Sequence, residues 1–258
     1  MNIRELYNAL DARIPRSLSC EWDNDGLMCC PNGKKTVNKV LIALDVTGAV
    51  VEYAINNGYD VIISHHPFIF NGLKSVDDEG YISAKLVALI KAEIAVMSFH
   101  TRLDAVEGGV NDRLCELFEL SDVEIIMTDG SPIGRIGTLK SSMSVENFAK
   151  QVKSTLGSPF VLLSDAGVPA HRVAFVGGGG GSFITDARNK GADTFVSGDI
   201  GYHALTDAPD FKNAPLNLLE VGHFFSEHPV CEALRDMIGD IAPGVSCDIY
   251  FSNVVKAI

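Results

Sequence analysis

The sequence is short of positive charge and contains no long apolar run. Its 258 residues include 21 Lys and Arg against 33 Asp and Glu, a formal net charge of −12. Nucleic-acid binding without sequence preference needs basic side chains that neutralise phosphates, so this balance argues against that class. Every apolar run is far shorter than the roughly 18 residues that a membrane-spanning helix needs. Residues 1–6 also lack the apolar core of a signal peptide. We therefore expect a cytoplasmic protein without nucleic-acid or membrane partners.

Several motifs of nucleotide and acyl chemistry are also missing. The sequence has no G-x-x-x-x-G-K-[ST] and no G-x-S-x-G, which argues against P-loop chemistry and a serine nucleophile elbow. None of the six cysteines belongs to a C-x-x-C, and Cys29 and Cys30 are adjacent. Such spacing favours neither a disulfide framework nor a thiolate zinc site, so we expect reduced thiols that are mostly buried.

The sequence does contain a regular alternation of apolar strands and helices. Val61–Ser64 has the pattern of a strand buried on both faces, and it leads directly into His65–Pro67. A helix is predicted over 47–57 and another buried strand over 94–98, whereas 21–27 is polar and predicted to form a turn. Such alternation predicts an α/β fold with mostly parallel sheets that are covered by helices on both faces.

The two halves of the sequence resemble each other. A shift of 133 residues aligns Val40–His65 with Val173–Gly198 without a gap, so that strand falls on strand and helix on helix. Any two β-α-β units look partly alike, and that simpler explanation stays open. We nevertheless predict an internal duplication, with one half over 1–129, the other over 130–258, and exchange of C-terminal elements left open.

Histidines and acidic residues cluster where the predicted strands end. The clusters are His65-His66, His100/Asp104, Asp199/His203 and His223/Glu227. A shift of 123 residues places His100 on His223 and Asp104 on Glu227, so a His-x-x-x-acid pattern recurs in both halves. Mixed imidazole and carboxylate ligands suit zinc, iron, manganese, nickel or cobalt. Five or six such ligands exceed the needs of one tetrahedral ion, which favours two divalent ions bridged by a carboxylate.

Each of these features has an ordinary structural alternative. A single histidine after a strand is usually a hydrogen-bonded structural residue, and His223 with Glu227 is equally consistent with a surface pair worth a few tenths of a kcal/mol. A glycine run between a strand and a helix has the layout of an anion-binding turn. Its members are Gly177, Gly178, Gly179, Gly180 and Gly181. Because Ser182 takes the third glycine position, the dinucleotide fingerprint fails. The alternative is a turn where the backbone closely approaches another element.

Taken together, these segments resemble the NIF-three-like family, whose members are often named homologs of GTP cyclohydrolase I type 2. The matching segments are Trp22–Leu27, Ser64–Phe70, His100–Asp104, Gly108–Asp112, Gly177–Gly181, Ser197–Asp199 with Tyr202-His203, and Gly222–Glu227. They follow one another in family order along the whole chain, and the length is similar to that of the short bacterial form.

The resemblance implies two similar, intertwined three-layer α/β/α domains with a dinuclear metal centre between them. The implied metal ligands are His65, His66, Asp104, His223 and Glu227. His100 and His203 would lie beside the metals and face the substrate, and the chain would assemble as a homohexamer. Arg102 stands where members often carry Asn or other polar residues, so we expect it to alter the charge of the cavity.

Two classes of function fit these residues. A hydrolase would use the metals to activate water for attack on a nucleotide or a cyclic amide or amidine; the resemblance implies ring opening of GTP. His100 and His203 would transfer protons, and Gly177–Gly181 would bind an anionic part of the small-molecule substrate. The alternative is a metal-binding or metal-delivery protein without turnover. Polar groups beyond the ligands, among them Asp199, favour the enzyme. A scaffold with a structural metal is a third interpretation.

Overall fold

The computed structural model describes residues 1–211, 213–251 and 253–256. The strands are β1 Gly26–Cys29, β2 Lys39–Ala43, β3 Val61–Ser64, β4 Ala95–Ser98, β5 Ser121–Thr128, β6 Ser131–Met143, β7 Leu162–Ser164, β8 Ala170–Gly179, β9 Thr194–Asp199, β10 Asn217–Glu220 and β11 Ser246–Ile249. The helices are α1 Ile3–Arg13, α2 Gly48–Asn56, α3 Tyr81–Lys91, α4 Thr101–Ala105, α5 Val110–Leu117, α6 Val145–Leu156, α7 Ile184–Asn189, α8 Tyr202–Asp207, α9 His223–Glu227 and α10 Val230–Ile241. No helix within the described ranges has the length and apolar character to cross a membrane.

The chain forms two compact units. The first unit comprises Met1–Val106 and Val230–Val254, so α10 and β11 belong to it, and the second is built on Glu107–Pro229. These units are defined by compactness, whereas the predicted halves are defined by the internal repeat of the sequence. The predicted halves over 1–129 and 130–258 therefore remain a prediction.

The first unit has a five-stranded sheet with the order β1-β4-β3-β2-β11. All its neighbouring strands are parallel except β1, which pairs antiparallel with β4. Every residue of β3 and β4 is buried, as the uninterrupted apolar runs predict. Helices α2 and α3 contact each other and cover the sheet face that carries Leu41, Ile62 and Val96. The prediction of a turn throughout 21–27 was wrong at its end, because Gly26 and Leu27 pair with β4.

The second unit has a six-stranded sheet with the order β5-β6-β8-β9-β10-β7. Strands β8, β9 and β10 are parallel, whereas the pairings at both sides of this centre are antiparallel. The predicted α/β class is confirmed, and this sheet is mixed. One reason is a hairpin between β5 and β6, where Asp129 and Gly130 have φ values of 47° and 79°. An Asp-Gly pair suits such a turn because it tolerates positive φ.

A backbone clamp recurs in both units. Asp60 Oδ2 accepts hydrogen bonds from the backbone N–H groups of Asn38 (2.8 Å) and Lys39 (3.1 Å). In the second unit, Asp193 Oδ2 accepts from His171 (3.1 Å) and Arg172 (2.7 Å). Each carboxylate joins the start of one parallel strand to the start of the strand before it. The contacts follow the 133-residue shift, which strengthens the argument for duplication.

The strands β4 and β10 are related by a shift of 122 residues, and not by the predicted 123. Val61 pairs with Ala95, and Thr194 pairs with Asn217, so Ala95 corresponds to Asn217 at a shift of 122. The same shift relates α4 to α9. His100 therefore corresponds to Gly222, because the hydrogen-bond ladder fixes the register whatever the side chains are. The recurring His-x-x-x-acid pattern is offset by one residue between the units.

Candidate metal centre

The end of β3 in the first unit presents two histidines in fixed orientations. His65 is fully buried, and its Nδ1 lies 3.0 Å from the carbonyl oxygen of Phe99. His66 Nδ1 lies 2.8 Å from Asp45 Oδ1, directly after β2. A carbonyl and an ionised carboxylate only accept hydrogen bonds, so both Nδ1 atoms must donate. With Nδ1 committed to an oxygen, Nε2 is the ring atom through which such a histidine binds a metal.

A third histidine of the same unit has the same kind of partner. His100 precedes α4, and its Nδ1 lies 2.9 Å from Asp23 Oδ1. Asp23 also accepts hydrogen bonds from the backbone N–H and the hydroxyl of Thr101. Burial alone would raise the pKa of Asp23, but the hydrogen bonds from His100 and Thr101 outweigh it and lower this pKa to about 2. Asp23 is therefore an ionised acceptor that orients His100.

These three histidines form a cluster with the donor chemistry of a transition-metal site. One ring nitrogen from each of His65, His66 and His100 lies within 4.8 Å of the others. The buried carboxylate of Asp104 places Oδ1 3.7 Å from His65 Nε2. Imidazole nitrogen with carboxylate oxygen is a set that binds divalent zinc, iron, manganese, nickel or cobalt. The residues present in the first unit thus fit a metal ion.

The second unit carries a related pair on α9. His223 Nε2 lies 3.1 Å from Glu227 Oε2, and Glu227 is almost fully buried. His223 Nδ1 lies 2.6 Å from Asp199 Oδ2, at the end of β9. Asp199 therefore supports His223. His203 is exposed on α8, and its ring centroid lies 5.6 Å from that of Tyr202.

The glycine run is explained by close packing against α9 and β9. A Cβ on Gly178 would lie 2.1 Å from Glu227 Oε1, and one on Gly180 would lie 2.3 Å from Ser197 Oγ. The N–H groups of Gly177, Gly178 and Gly180 donate to Asn111, Ser226 and Asp199 respectively. Close backbone approach, the alternative considered above, accounts for these glycines. The predicted anion-binding role of Gly177–Gly181 has no further support from these contacts.

Arg102 lies elsewhere than predicted. Its side chain is fully buried, with Nη1 donating to Asp11 (2.6 Å) and the Ile14 carbonyl (2.9 Å) and Nε donating to Asp25 (3.0 Å). The guanidinium also stacks over the Phe99 ring at 4.6 Å. The expectation that Arg102 changes the charge of a cavity was wrong, because these carboxylates draw it towards α1 and the turn before β1.

Sequence reasoning overlooked the carboxylates that orient the histidines. Asp45 was not among the predicted site residues, and Asp23 was included only as part of the family segment Trp22–Leu27. A usable signal existed for Asp45, since acidic and histidine side chains at the ends of neighbouring parallel strands meet at the same sheet edge. Asp23 gave no such signal, because it precedes a strand whose antiparallel pairing was not foreseen.

Comparison with known proteins agrees with this description. The family model for Duf34/NIF3 (NGG1p interacting factor 3) matches residues 1–257. A protein of Clostridium perfringens named GTP cyclohydrolase 1 type 2 homolog is 34% identical over 237 residues, which cover 89% of this chain and 88% of that protein. A Streptococcus pneumoniae protein of the same name is also 34% identical, and the match covers 85% of this chain and 84% of that protein.

Solved structures give the same result for the fold. The Staphylococcus aureus hypothetical protein SA1388 has a TM-score of 0.91 at 28% identity, with 100% of this chain and 99% of that chain covered. Reduced HcgD from Methanocaldococcus jannaschii has a TM-score of 0.83 at 27% identity, with 96% and 97% covered. The family resemblance inferred from the sequence is confirmed: the chain belongs to the Duf34/NIF3 (NGG1p interacting factor 3) family.

Proposed function

We propose that the protein is a hydrolase that depends on two divalent metal ions. The proposed ligands are His65, His66, Asp104, His223 and Glu227. The observation that carries the proposal is the common orientation of the histidines: Nδ1 of His65, His66 and His223 lies 3.0, 2.8 and 2.6 Å from an oxygen acceptor, so Nε2 is the ring atom that would bind a metal. A purely structural histidine needs no such common arrangement.

The chemistry is divided between the metals and the protein. Divalent ions, when bound, activate a water molecule for nucleophilic attack near neutral pH. The protein's part is to hold the ligands rigidly, through Asp45 for His66 and Asp199 for His223. His100, oriented by Asp23, is proposed to exchange protons with the substrate through Nε2, and His203 is proposed to assist.

The proposed substrate is a nucleotide or a cyclic amide or amidine. Two relatives carry the name GTP cyclohydrolase 1 type 2 homolog, which suggests cleavage of a carbon–nitrogen bond in a ring. Self-association to a homohexamer is proposed from the family resemblance. Light scattering of the purified chain would measure it.

The test begins with metal analysis of protein that has been purified without chelator. The metal-free protein is then reloaded with each candidate ion and screened with nucleotides and cyclic amides. We expect turnover to follow metal content, and His66→Ala to lose both metal and activity. His171→Ala is the matched control, because His171 is exposed on β8 and touches none of the proposed ligands in the contacts described above.

Two outcomes would contradict the proposal. Turnover retained by a metal-free His66→Ala variant would show that the metals are not needed for catalysis. Exchangeable metal without turnover on any substrate would instead favour the alternative function, metal binding or delivery.

A further inference from the structure

Two large aromatic side chains are exposed beside the histidine cluster of the first unit. Trp22 is 64% exposed and Phe70 is 47% exposed. The two ring centroids are 6.2 Å apart, and they lie 6.1 Å and 6.4 Å from that of His100, all in edge-on arrangements. Covering exposed aromatic surface of this kind with another group is favourable, because it removes apolar area from water.

A polar network holds this arrangement together. Asn24 Nδ2 donates to the Ile69 carbonyl at 2.6 Å, which joins the turn that carries Trp22 to the segment that carries Phe70. Asp23, between Trp22 and Asn24, binds His100 Nδ1. These hydrogen bonds orient the His100 ring and hold the residues next to Trp22 and Phe70, which keeps the three rings beside one another.

The space beside Phe70 is large enough for a small molecule. Phe70 lines an open pocket of about 540 Å³, together with other residues of the segments 67–75 and 80–83. Ligand pockets in proteins are typically about 300–1,000 Å³. The volume of this pocket lies within that range, so the pocket is large enough for the sugar of a nucleoside.

We propose that Trp22 and Phe70 bind the planar heteroaromatic ring of the substrate by stacking. The ring would lie on the open face of Trp22 with one edge against Phe70, which brings it next to His100. This inference rests on the proposed function, because it assigns the part of the proposed hydrolase site that binds the substrate. Stacking suits a heteroaromatic ring because every base has a π-face, whatever its hydrogen-bonding groups.

The experiment uses the fluorescence of Trp22, the sole tryptophan of the chain. The full-length protein is titrated with guanosine and with adenosine, both after chelation and after metal loading, and with ribose 5-phosphate as a probe without a ring. We expect saturable quenching by the nucleosides and none by ribose 5-phosphate. Phe70→Leu should weaken binding about tenfold, since the loss of one aromatic contact is of that order.

A matched control and a second measurement keep the test independent of folding. Phe251→Leu removes an aromatic ring that is also 64% exposed, but that follows the opposite edge strand of the sheet, and it should not change affinity. Calorimetric titration with guanosine should show that Trp22→Phe retains most of the affinity and that Trp22→Leu loses it, with circular dichroism unchanged in both.

The failures of the two proposals are distinguishable. Absence of saturable quenching by either nucleoside, or equal affinity in wild type and Phe70→Leu, would overturn the stacking proposal. Turnover of a nucleotide that Trp22→Leu leaves unchanged would also overturn it while supporting the hydrolase. Nucleoside binding to Trp22 without turnover by the metal-loaded protein would support stacking and count against the hydrolase.

Discussion

The ends of β3 and β9 occupy equivalent positions in the two units, yet they carry different chemistry. β3 leads into His65 and His66, whereas the residues at the same positions on β9 are Gly198 and Asp199. A Cβ on Gly198 would lie 2.5 Å from Ser226 Oγ, 2.7 Å from the Gly178 carbonyl oxygen and 2.8 Å from His223 Cα. There is therefore no room for a side chain at position 198, because α9 packs against the end of β9. In the second unit the histidine lies on α9 instead.

Some features recur in both units, and others differ between them. The clamps made by Asp60 and Asp193 satisfy backbone groups that any parallel pair of strands leaves open, so both units keep them. Residues beyond the strand ends take no part in the backbone hydrogen bonds of the sheet, so their identity can differ between the units. The histidines proposed as metal ligands follow a strand in the first unit and begin a helix in the second.

The largest expected effect comes from placing a side chain at the glycine of β9. Gly198→Ala should lower the free energy of unfolding by about 2–3 kcal/mol, because backbone atoms surround the new methyl group and cannot move cheaply. Gly48→Ala is the control, since nothing lies within 4 Å of a Cβ there, and it should stay within about 0.5 kcal/mol. Chemical denaturation measures both. An unchanged stability of Gly198→Ala would refute the packing explanation for this glycine.

Removing the two clamps tests whether they are equivalent. Asp60→Ala and Asp193→Ala should each lower the free energy of unfolding by about 2 kcal/mol, because two backbone N–H groups lose their acceptor. The loss should be greater at Asp60, which is more buried and also lies 3.1 Å from the ammonium of Lys35. Asp210→Ala, at an exposed position, serves as the control in denaturant titrations. Stability unaffected in both clamp variants would mean that water replaces the carboxylates.

Changing the carboxylates that orient the histidines should affect metal binding more than stability. Asp45→Asn should weaken metal affinity about tenfold, the low end for such partners, because an amide oxygen still accepts from His66. Asp199→Asn should have a smaller effect, since the His223 side chain is 43% exposed against 22% for His66. Competition with a chromogenic chelator measures the affinities, and the exposed Asp78 provides an Asp78→Asn control. A greater loss of metal affinity in Asp199→Asn than in Asp45→Asn would contradict this explanation from side-chain exposure.

The smallest expected effect is a change in acid stability at the first clamp. Burial by itself raises the pKa of Asp60, but hydrogen bonds from Asn38, Lys35 and Lys39 outweigh it and hold this pKa below the ordinary 3.8. Ionised Asp60 therefore contributes stability above pH 3.8, and this contribution is lost as the pH falls through the lower folded-state pKa. Below pH 3.8, wild type should lose stability more steeply than Asp60→Asn, as urea titrations at several pH values would measure. If the stabilities of wild type and Asp60→Asn fell equally with pH, the proposed contribution of ionised Asp60 would be ruled out.

Much of the fold was predictable because burial leaves a local pattern. The runs Val61–Ser64 and Ala95–Ser98 are apolar on both faces and became fully buried parallel strands. The hairpin at Asp129 and Gly130 was missed because its turn is only two residues long, and the antiparallel β1 was missed because it is only partly buried and follows a polar segment. The placement of α10 and β11 in the first unit is a long-range pairing that no local pattern encodes.

The sequence by itself determined that imidazole and carboxylate groups follow the predicted strands. The ligand set His65, His66, Asp104, His223 and Glu227 is what the family resemblance implies, and it stays a prediction. Only the tertiary structure decided which ring nitrogen of each histidine donates to an oxygen acceptor. It also replaced the predicted register of 123 residues by 122, turned Arg102 away from the donors and assigned the glycine run to close packing. The physical reason is that hydrogen-bond partners and steric contacts join residues far apart in the chain, whereas residue type and local periodicity are written along it.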